Sequence, residues 1–237
     1  MLDLQSMLML TALAGLAMPM GALLAKVERI QSEWLENEVR HSIIAFAAGA
    51  LLSAIALVLV PEGIEHLSAF WACMMFIAGG LGFMMVDLAL DKWNTPASQL
   101  AAMLADFIPE SLALGALFSL GGSNAILLAI LIGLQNLPEG FNAYRELMDK
   151  GQFSAKKLIG LFIVLAFLGP LSGYIGYQWL AQQPEILSGI MLFAAGGIMY
   201  SIFQDIAPNV TLKNHRFPPM GAILGFVLGL LGHMLNH

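Results

Sequence analysis

Two pairs of polar side chains interrupt the apolar middle of the chain. Asp106 and Glu110 are four residues apart, and so are Gln135 and Glu139. On a helix this spacing places both members of a pair on one face. Each glutamate directly follows a proline, which frees a backbone carbonyl one turn earlier in a helix. Carboxylate, amide and carbonyl oxygens are the ligands of hard divalent cations, so the pattern indicates a metal site.

The positions of these residues predict that the two pairs meet. Counting from a turn at Gly122, Glu110 is 12 residues away and Gln135 is 13. Asp106 is 16 residues away and Glu139 is 17. The pairs then form two layers about 6 Å apart along the helices. Three carboxylates in a low-dielectric medium repel one another strongly, and a divalent cation would relieve that repulsion. Protonation of some acids, or hydrogen bonding to the helix backbone, is the alternative.

Other polar residues are candidates for a wider cation path. Asn136, beside Gln135, offers a further amide oxygen to the core site. Candidate entrance residues lie at the outer end of the second predicted helix, where a solvated helix end is the alternative: Glu62, Glu65 and His66. Candidate exit residues, each also compatible with a structural role, lie toward the cytoplasmic ends of their helices: Asp87, Glu146, Gln204 and Asp205.

Composition indicates the elements that hold these residues. The chain of 237 residues is 59% hydrophobic and 11% charged, with a mean hydropathy of +0.80. A soluble domain carries about 25% charged residues, so the bilayer is the expected surrounding. The net charge of −6 argues against a nucleic-acid partner. We predict one all-α transmembrane domain over residues 1–237, with eight membrane-spanning helices at 4–25, 42–61, 69–90, 99–120, 124–146, 157–181, 185–207 and 219–235.

The basic residues predict the orientation. All ten fall in or at the edges of the connections after helices 1, 3, 5 and 7: Lys26, Arg29, Arg40, Lys92, Arg145, Lys150, Lys156, Lys157, Lys213 and Arg216. Cytoplasmic loops are enriched in lysine and arginine. We therefore expect a multi-pass protein of the cell (inner or plasma) membrane with both termini extracytoplasmic. The polar connection from Lys26 to His41 is compatible with a short amphipathic helix.

An internal repeat is also visible. Phe46-Ala47-Ala48-Gly49 precedes Pro61 at the spacing at which Phe193-Ala194-Ala195-Gly196 precedes Pro208. Leu81-Gly82-Phe83 and Leu224-Gly225-Phe226 recur one helix later. With the orientation above, the repeat is inverted, as in many secondary transporters. Chance recurrence of small-residue packing motifs is the alternative.

These motifs resemble those of the ZIP (Zrt-, Irt-like) metal transporters, and the chain looks like a divergent prokaryotic-type member. The residues that carry the resemblance are Ala47-Ala48-Gly49, Leu90-Asp91-Lys92, Pro109-Glu110, Pro138-Glu139-Gly140, Pro170-Leu171, Phe193-Ala194-Ala195-Gly196 and Asp205-Ile206-Ala207-Pro208. The resemblance implies a 3+2+3 arrangement, with helices 1–3 and 6–8 around a helix 4–5 hairpin. It also implies uptake of zinc, iron, manganese or similar ions into the cytoplasm.

The chain departs from the family pattern at several positions, including Ser111 in place of a glycine on helix 4 and a short connection from Asp91 to Gln99 in place of a histidine-rich loop. Asp106 and Phe107 stand where the family usually has His-Asn, and Gly169 stands where it often has Glu. Loss of the Asn and Glu removes ligands that can help to hold a second ion in the family. Loss of the histidine leaves a core of oxygen ligands, which shifts preference from zinc toward manganese or iron(II).

The expected function is therefore divalent-metal transport, with the ion as substrate and the lipid bilayer as surroundings. A membrane metal sensor or scaffold that does not transport is the alternative, motivated by the missing histidine. An intramembrane enzyme is less favoured because the chain has no His-Glu-x-x-His motif and no Gly-x-Ser-Gly motif. Homodimer formation is left open.

Overall fold

The computed structural model describes residues 4–27, 33–93, 96–121, 124–149, 151, 153–210 and 217–236. Within these ranges the side chains of residues 33–37, 91, 93, 96–99, 101–102, 205, 209 and 236 are not described. The described residues form helices and no strand. We label the long helical segments α1 to α8 in chain order. Seven of them, all but α4, are long and apolar enough to cross a membrane, which is the build of a multi-pass membrane protein.

The bounds follow the apolar stretches, with several segments interrupted. Unbroken segments are α1 (Leu4–Val27), α3 (Ala69–Trp93), α4 (Pro96–Ser119), α5 (Asn124–Asp149) and α8 (Phe217–Asn236). Interrupted segments are α2 (Glu33–Ala54, π-helical Ile55–Leu59 and Val60–Gly63), α6 (Ala155–Ala166, Leu168–Gln178 and 3-10 helical Leu180–Gln182) and α7 (Pro184–Ser201, π-helical Ile202–Ile206 and Ala207–Val210).

Helix α2 begins about nine residues before the predicted position. Residues from Glu33 to His41, expected to belong to a connection, continue directly into the apolar part of α2. This stretch contains no glycine or proline, so nothing in it interrupts the helix. Residues 28–32 lie outside the described part of the chain.

A proline lies close to three of these interruptions. Pro170 has no N–H to donate to Ala166, and α6 breaks between these residues at Phe167. In α2 and α7 a π-helical segment begins six residues before Pro61 and Pro208, respectively. Such π-bulges accommodate a local break in the hydrogen-bond ladder and occur frequently at functional sites.

The helices pack in pairs through glycines that meet the neighbouring backbone. The main pairs are α1 with α5, α4 with α6, α2 with α8 and α3 with α7. A Cβ atom added at Gly49 of α2 would lie 1.9 Å from the Ala222 carbonyl oxygen of α8. At Gly196 of α7 it would lie 1.9 Å from the Phe76 carbonyl oxygen of α3. Small residues permit this approach where two membrane helices cross.

Gly115→Ala is expected to destabilise the protein because the new Cβ atom would lie 1.9 Å from the Gly173 carbonyl oxygen. Backbone cannot yield without separating α4 from α6, and overpacking costs about 1–3 kcal/mol or more. Gly160→Ala is the matched control, because an added Cβ meets nothing within 4 Å there. Thermal unfolding in detergent, followed by size-exclusion chromatography, compares the two variants. Equal melting temperatures for both would contradict the tight α4–α6 contact.

Candidate metal centre

The centre of the molecule holds a buried carboxylate–amide pair between α4 and α5. The side-chain nitrogen of Gln135 donates to both carboxylate oxygens of Glu110, at 2.8 Å to Oε1 and 2.6 Å to Oε2. Glu110 is 0% exposed and Gln135 is 1% exposed. Both helices run through the site as α-helix despite their internal prolines, Pro109 and Pro138. The structure thus brings together the two residues that counting from the turn placed at one depth.

The other two acids of the predicted core lie within electrostatic reach of this pair. Asp106 and Glu110 are both close enough to Glu139 for their charges to interact with it. Glu110 also interacts with Asp106. Asp106 and Glu139 are both half-buried. Three acidic groups therefore share one small region around the α4–α5 contact.

The described acids of this region do not by themselves form a metal-binding cluster. Among the described residues, no group of three or more His, Cys, Asp or Glu side chains is arranged to hold a metal. Both oxygens of Glu110 accept hydrogen bonds from the amide nitrogen of Gln135. The amide oxygen of Gln135 is buried and accepts no hydrogen bond from any described group. An acceptor buried in this way costs about 1–3 kcal/mol.

Asn136 is turned away from the carboxylates. Its side-chain nitrogen donates to the Ala14 carbonyl oxygen of α1 at 2.9 Å, and the residue is 1% exposed. Consecutive helix residues point about 100° apart, so Asn136 and Gln135 serve different neighbours. The structure therefore does not bring Asn136 together with the core acids but uses it to tie α5 to α1.

The Phe107 ring fills the space that a side chain at Gly169 would occupy. Phe107 is 1% exposed, and its ring atom Cζ lies 2.6 Å from where a Cβ atom at Gly169 would stand. The Thr11 carbonyl oxygen would lie 2.9 Å from the same added Cβ atom at Gly169. Any side chain at Gly169 would collide with this ring and backbone. The Phe107 ring therefore fills the space that a side chain at Gly169 would need, and neither residue carries a side-chain ligand.

The candidate entrance residues separate into two places. Glu62 is half-buried, and its Oε1 accepts a hydrogen bond of 2.8 Å from the side-chain nitrogen of Asn124, the first residue of α5. The hydroxyl of Ser188 in α7 lies 3.5 Å from the Glu62 carbonyl oxygen, to which it donates. Glu65 and His66 are exposed and face each other at 3.9 Å. The sequence did not single out Asn124, because its partner Glu62 lies 62 residues away on another helix.

The candidate exit residues do not form one described cluster. Asp87 of α3 accepts a hydrogen bond of 3.0 Å from the hydroxyl of Tyr200 in α7, a partner that sequence reasoning missed. Gln204 is exposed within the π-helical segment of α7 and lines a groove of about 440 Å³ with Tyr200. Glu146 is exposed near the end of α5. The backbone of Asp205 is described, but its side chain lies outside the description.

Comparison with protein-family models finds no match to this chain, and comparison with functionally characterised proteins finds none either.

Proposed function

We propose that this protein moves a divalent metal ion across a membrane, using carboxylates and amides of α4 and α5 as its binding site. The observation that carries this proposal is the fully buried Glu110–Gln135 pair, with Asp106 and Glu139 within electrostatic reach. Ionisable groups inside membrane helices are costly and usually functional. Zinc, iron(II) and manganese(II) are the candidate ions, with transport rather than catalysis as the activity.

Gln135 explains how the same residues tolerate both the loaded and the empty state. The amide nitrogen of Gln135 donates to both oxygens of Glu110. Half a turn of the amide exchanges its nitrogen and oxygen, and the buried oxygen would then face a cation beside Glu110. Asp106 and Glu139 would complete an oxygen site by side-chain movement. The amide thus satisfies the carboxylate when no metal is bound.

We propose that all eight long segments span the membrane, α4 included. The sequence supports this count because all ten basic residues then fall on one side, in the connections after α1, α3, α5 and α7. Those connections are cytoplasmic by the positive-inside rule, which leaves both termini outside the cell. The membrane is the inner or plasma membrane of the cell.

An inverted repeat is supported by close contacts at constant sequence offsets. Gly49 of α2 contacts Ala222 of α8, and Gly196 of α7 contacts Phe76 of α3. The α2–α8 contact therefore matches the α7–α3 contact, with α2 corresponding to α7 and α8 to α3. Gly225 likewise approaches the Phe46 carbonyl oxygen at 2.0 Å, and Gly79 approaches that of Phe193 at 1.9 Å. The contacts pair Gly225 with Gly79 rather than with Gly82, so the Leu-Gly-Phe recurrence is one helical turn out of register.

The same symmetry relates α4 to α5 and predicts how deep in the membrane the site lies. Gly140 of α5 meets Met18 of α1, and Gly115 of α4 meets Gly173 of α6, so α4 and α5 correspond at an offset of 25 residues. Glu110 and Gln135 are also 25 residues apart. Two symmetry-related residues that touch must lie near the symmetry axis. In an inverted repeat that axis lies in the membrane plane, where transporters of this build bind substrate.

The resemblance to ZIP transporters supports the same proposal through the motifs alone. A metal sensor that does not transport is the second candidate, because Asp106 stands where the transporter motif usually has a histidine. The two candidates differ in whether bound metal crosses the membrane.

Flux into proteoliposomes tests the proposal directly. Vesicles that contain the purified protein and an encapsulated metal-sensitive dye are expected to take up Mn²⁺ or Zn²⁺ saturably, and protein-free vesicles are not. Binding of metal to the purified protein without flux would instead identify a sensor. Absence of both binding and flux would overturn the metal site itself.

A further inference from the structure

Three buried amide oxygens lie along one face of α5. The side-chain oxygens of Asn124, Gln135 and Asn142 are buried, and no described group donates a hydrogen bond to them. These residues are 11 and 7 positions apart, so they point within about 20° of one direction on an α-helix. Their spacing along the helix axis is about 16 Å and then about 10 Å. The row therefore extends from the first turn of α5 to its last third.

Unsatisfied buried oxygens are uncommon in folded proteins, and each one requires an explanation. Here three oxygens of one chemical type share a single helix face. Packing demand does not explain them, because an apolar side chain would fill each position without an unmet acceptor. A cation that passes along this face and is coordinated by the lone pairs of these oxygens would account for all three.

Carboxylates accompany the amides. Asn124 contacts Glu62, and Gln135 contacts Glu110. Asn142 follows Glu139 by three residues and precedes Glu146 by four, so it shares their helix face. The ligand chemistry is thus a neutral amide oxygen with an acid beside it at each level. That combination suits a divalent cation.

The other faces of α5 lack this chemistry. Ile126 and Ile130 are exposed and apolar, as expected for contact with lipid. Asn136 uses its amide to bind the backbone of α1. The polar row is therefore confined to the face that carries the central site.

We propose that Asn124 with Glu62, and Asn142 with its neighbouring acids, are the outer and inner binding stations of the cation path through the central Gln135 site. The inference rests on the proposed transport function and assigns the route on either side of the central site. Neutral amides bind a divalent ion more weakly than carboxylates do. Weak stations in series allow an ion to enter and also to leave, which conduction requires.

Flux measurements with Mn²⁺ alone test the stations. Asn124→Leu and Asn142→Leu are each expected to lower uptake at subsaturating Mn²⁺ by about tenfold, the lower end for loss of a group that supports a metal site. Asn142→Asp, which keeps an oxygen at the same place, is expected to retain uptake. Gln182→Leu removes an exposed amide whose nitrogen donates to the Gln178 carbonyl of the same helical segment, and wild-type uptake is expected. Size-exclusion chromatography verifies folding of each variant.

Cysteine protection supplies a measurement that does not depend on rate. In a Cys73→Ala background, Asn142→Cys is expected to react with a small polar thiol reagent and to be protected by Mn²⁺. Ile130→Cys on the lipid-facing side is expected to stay unreactive. Wild-type uptake together with unchanged Asn124→Leu and Asn142→Leu variants would overturn the stations and leave the transport function standing. Absence of wild-type uptake would overturn the transport function and this route with it.

Discussion

Glu139→Ala is expected to abolish Mn²⁺ uptake, with a loss of about 100-fold or more, at the upper limit for groups that only support a metal site. Glu139 interacts with both Asp106 and Glu110, so it lies where the charges of the core converge. A dehydrating ion loses hydration energy that only nearby charge and oxygen ligands can replace. Initial rates in proteoliposomes measure the effect.

The second core glutamate provides a graded comparison. Glu110→Ala is expected to reduce uptake strongly, because it removes a ligand and also leaves the Gln135 amide nitrogen buried without its acceptor. Glu185→Gln is the matched control, since Glu185 is an exposed acid in the first turn of α7. Near-wild-type uptake by folded Glu139→Ala protein would remove the assignment of the site.

The helices were predictable because their apolar stretches are long and their breakers are strong. The turn at Gly121 has φ of +71°, the left-handed region that glycine favours, and it closes the α4–α5 hairpin as expected. Distances of 12 and 13 residues from Gly122 then placed Glu110 beside Gln135 without any tertiary information. Counting residues succeeds here because α-helices rise by a constant amount per residue.

Side-chain partners across helices were less predictable. Helical period gives the face of a residue but not the neighbour that the face meets. Asn136 was assigned to the core on its proximity to Gln135, yet its amide reaches the backbone of α1. Two hydrogen bonds join segments far apart in sequence, from Asn124 to Glu62 and from Tyr200 to Asp87. No local sequence pattern predicts them.

Two local features also escaped the sequence patterns. The π-helical segments before Pro61 and Pro208 contain one extra residue in a turn. A segment of five residues is too short for this change to alter the spacing of the apolar residues visibly. The fit of Phe107 against Gly169 is a matter of volume between residues of different helices. The sequence indicated only that Phe107 and Gly169 have no side-chain ligand atoms. The structure shows that the Phe107 ring needs a glycine at position 169.

This fit between Phe107 and Gly169 bears on how many ions the centre holds. Two divalent ions side by side need about four negative charges, and the core acids are only Asp106, Glu110 and Glu139. The Phe107 ring is buried against Gly169, and neither position offers a side-chain ligand for a second ion. The charge and the ligand set therefore both favour a single ion bound mainly by oxygen.

The purified wild-type protein is expected to bind one divalent ion per chain at this centre. Phe107→Asp adds a fourth carboxylate and removes the ring, so a second ion is expected to bind. Phe107→Leu reduces the ring volume without adding a ligand, so the ratio is expected to stay at one. Elemental analysis of each protein, with titrations of Mn²⁺ and Zn²⁺, measures both number and preference. Oxygen ligands narrow the usual preference for zinc over manganese, since zinc gains most from nitrogen and sulfur. Two ions in the wild-type centre would refute the single-ion site, and a zinc affinity many orders of magnitude above that for manganese would refute its all-oxygen character.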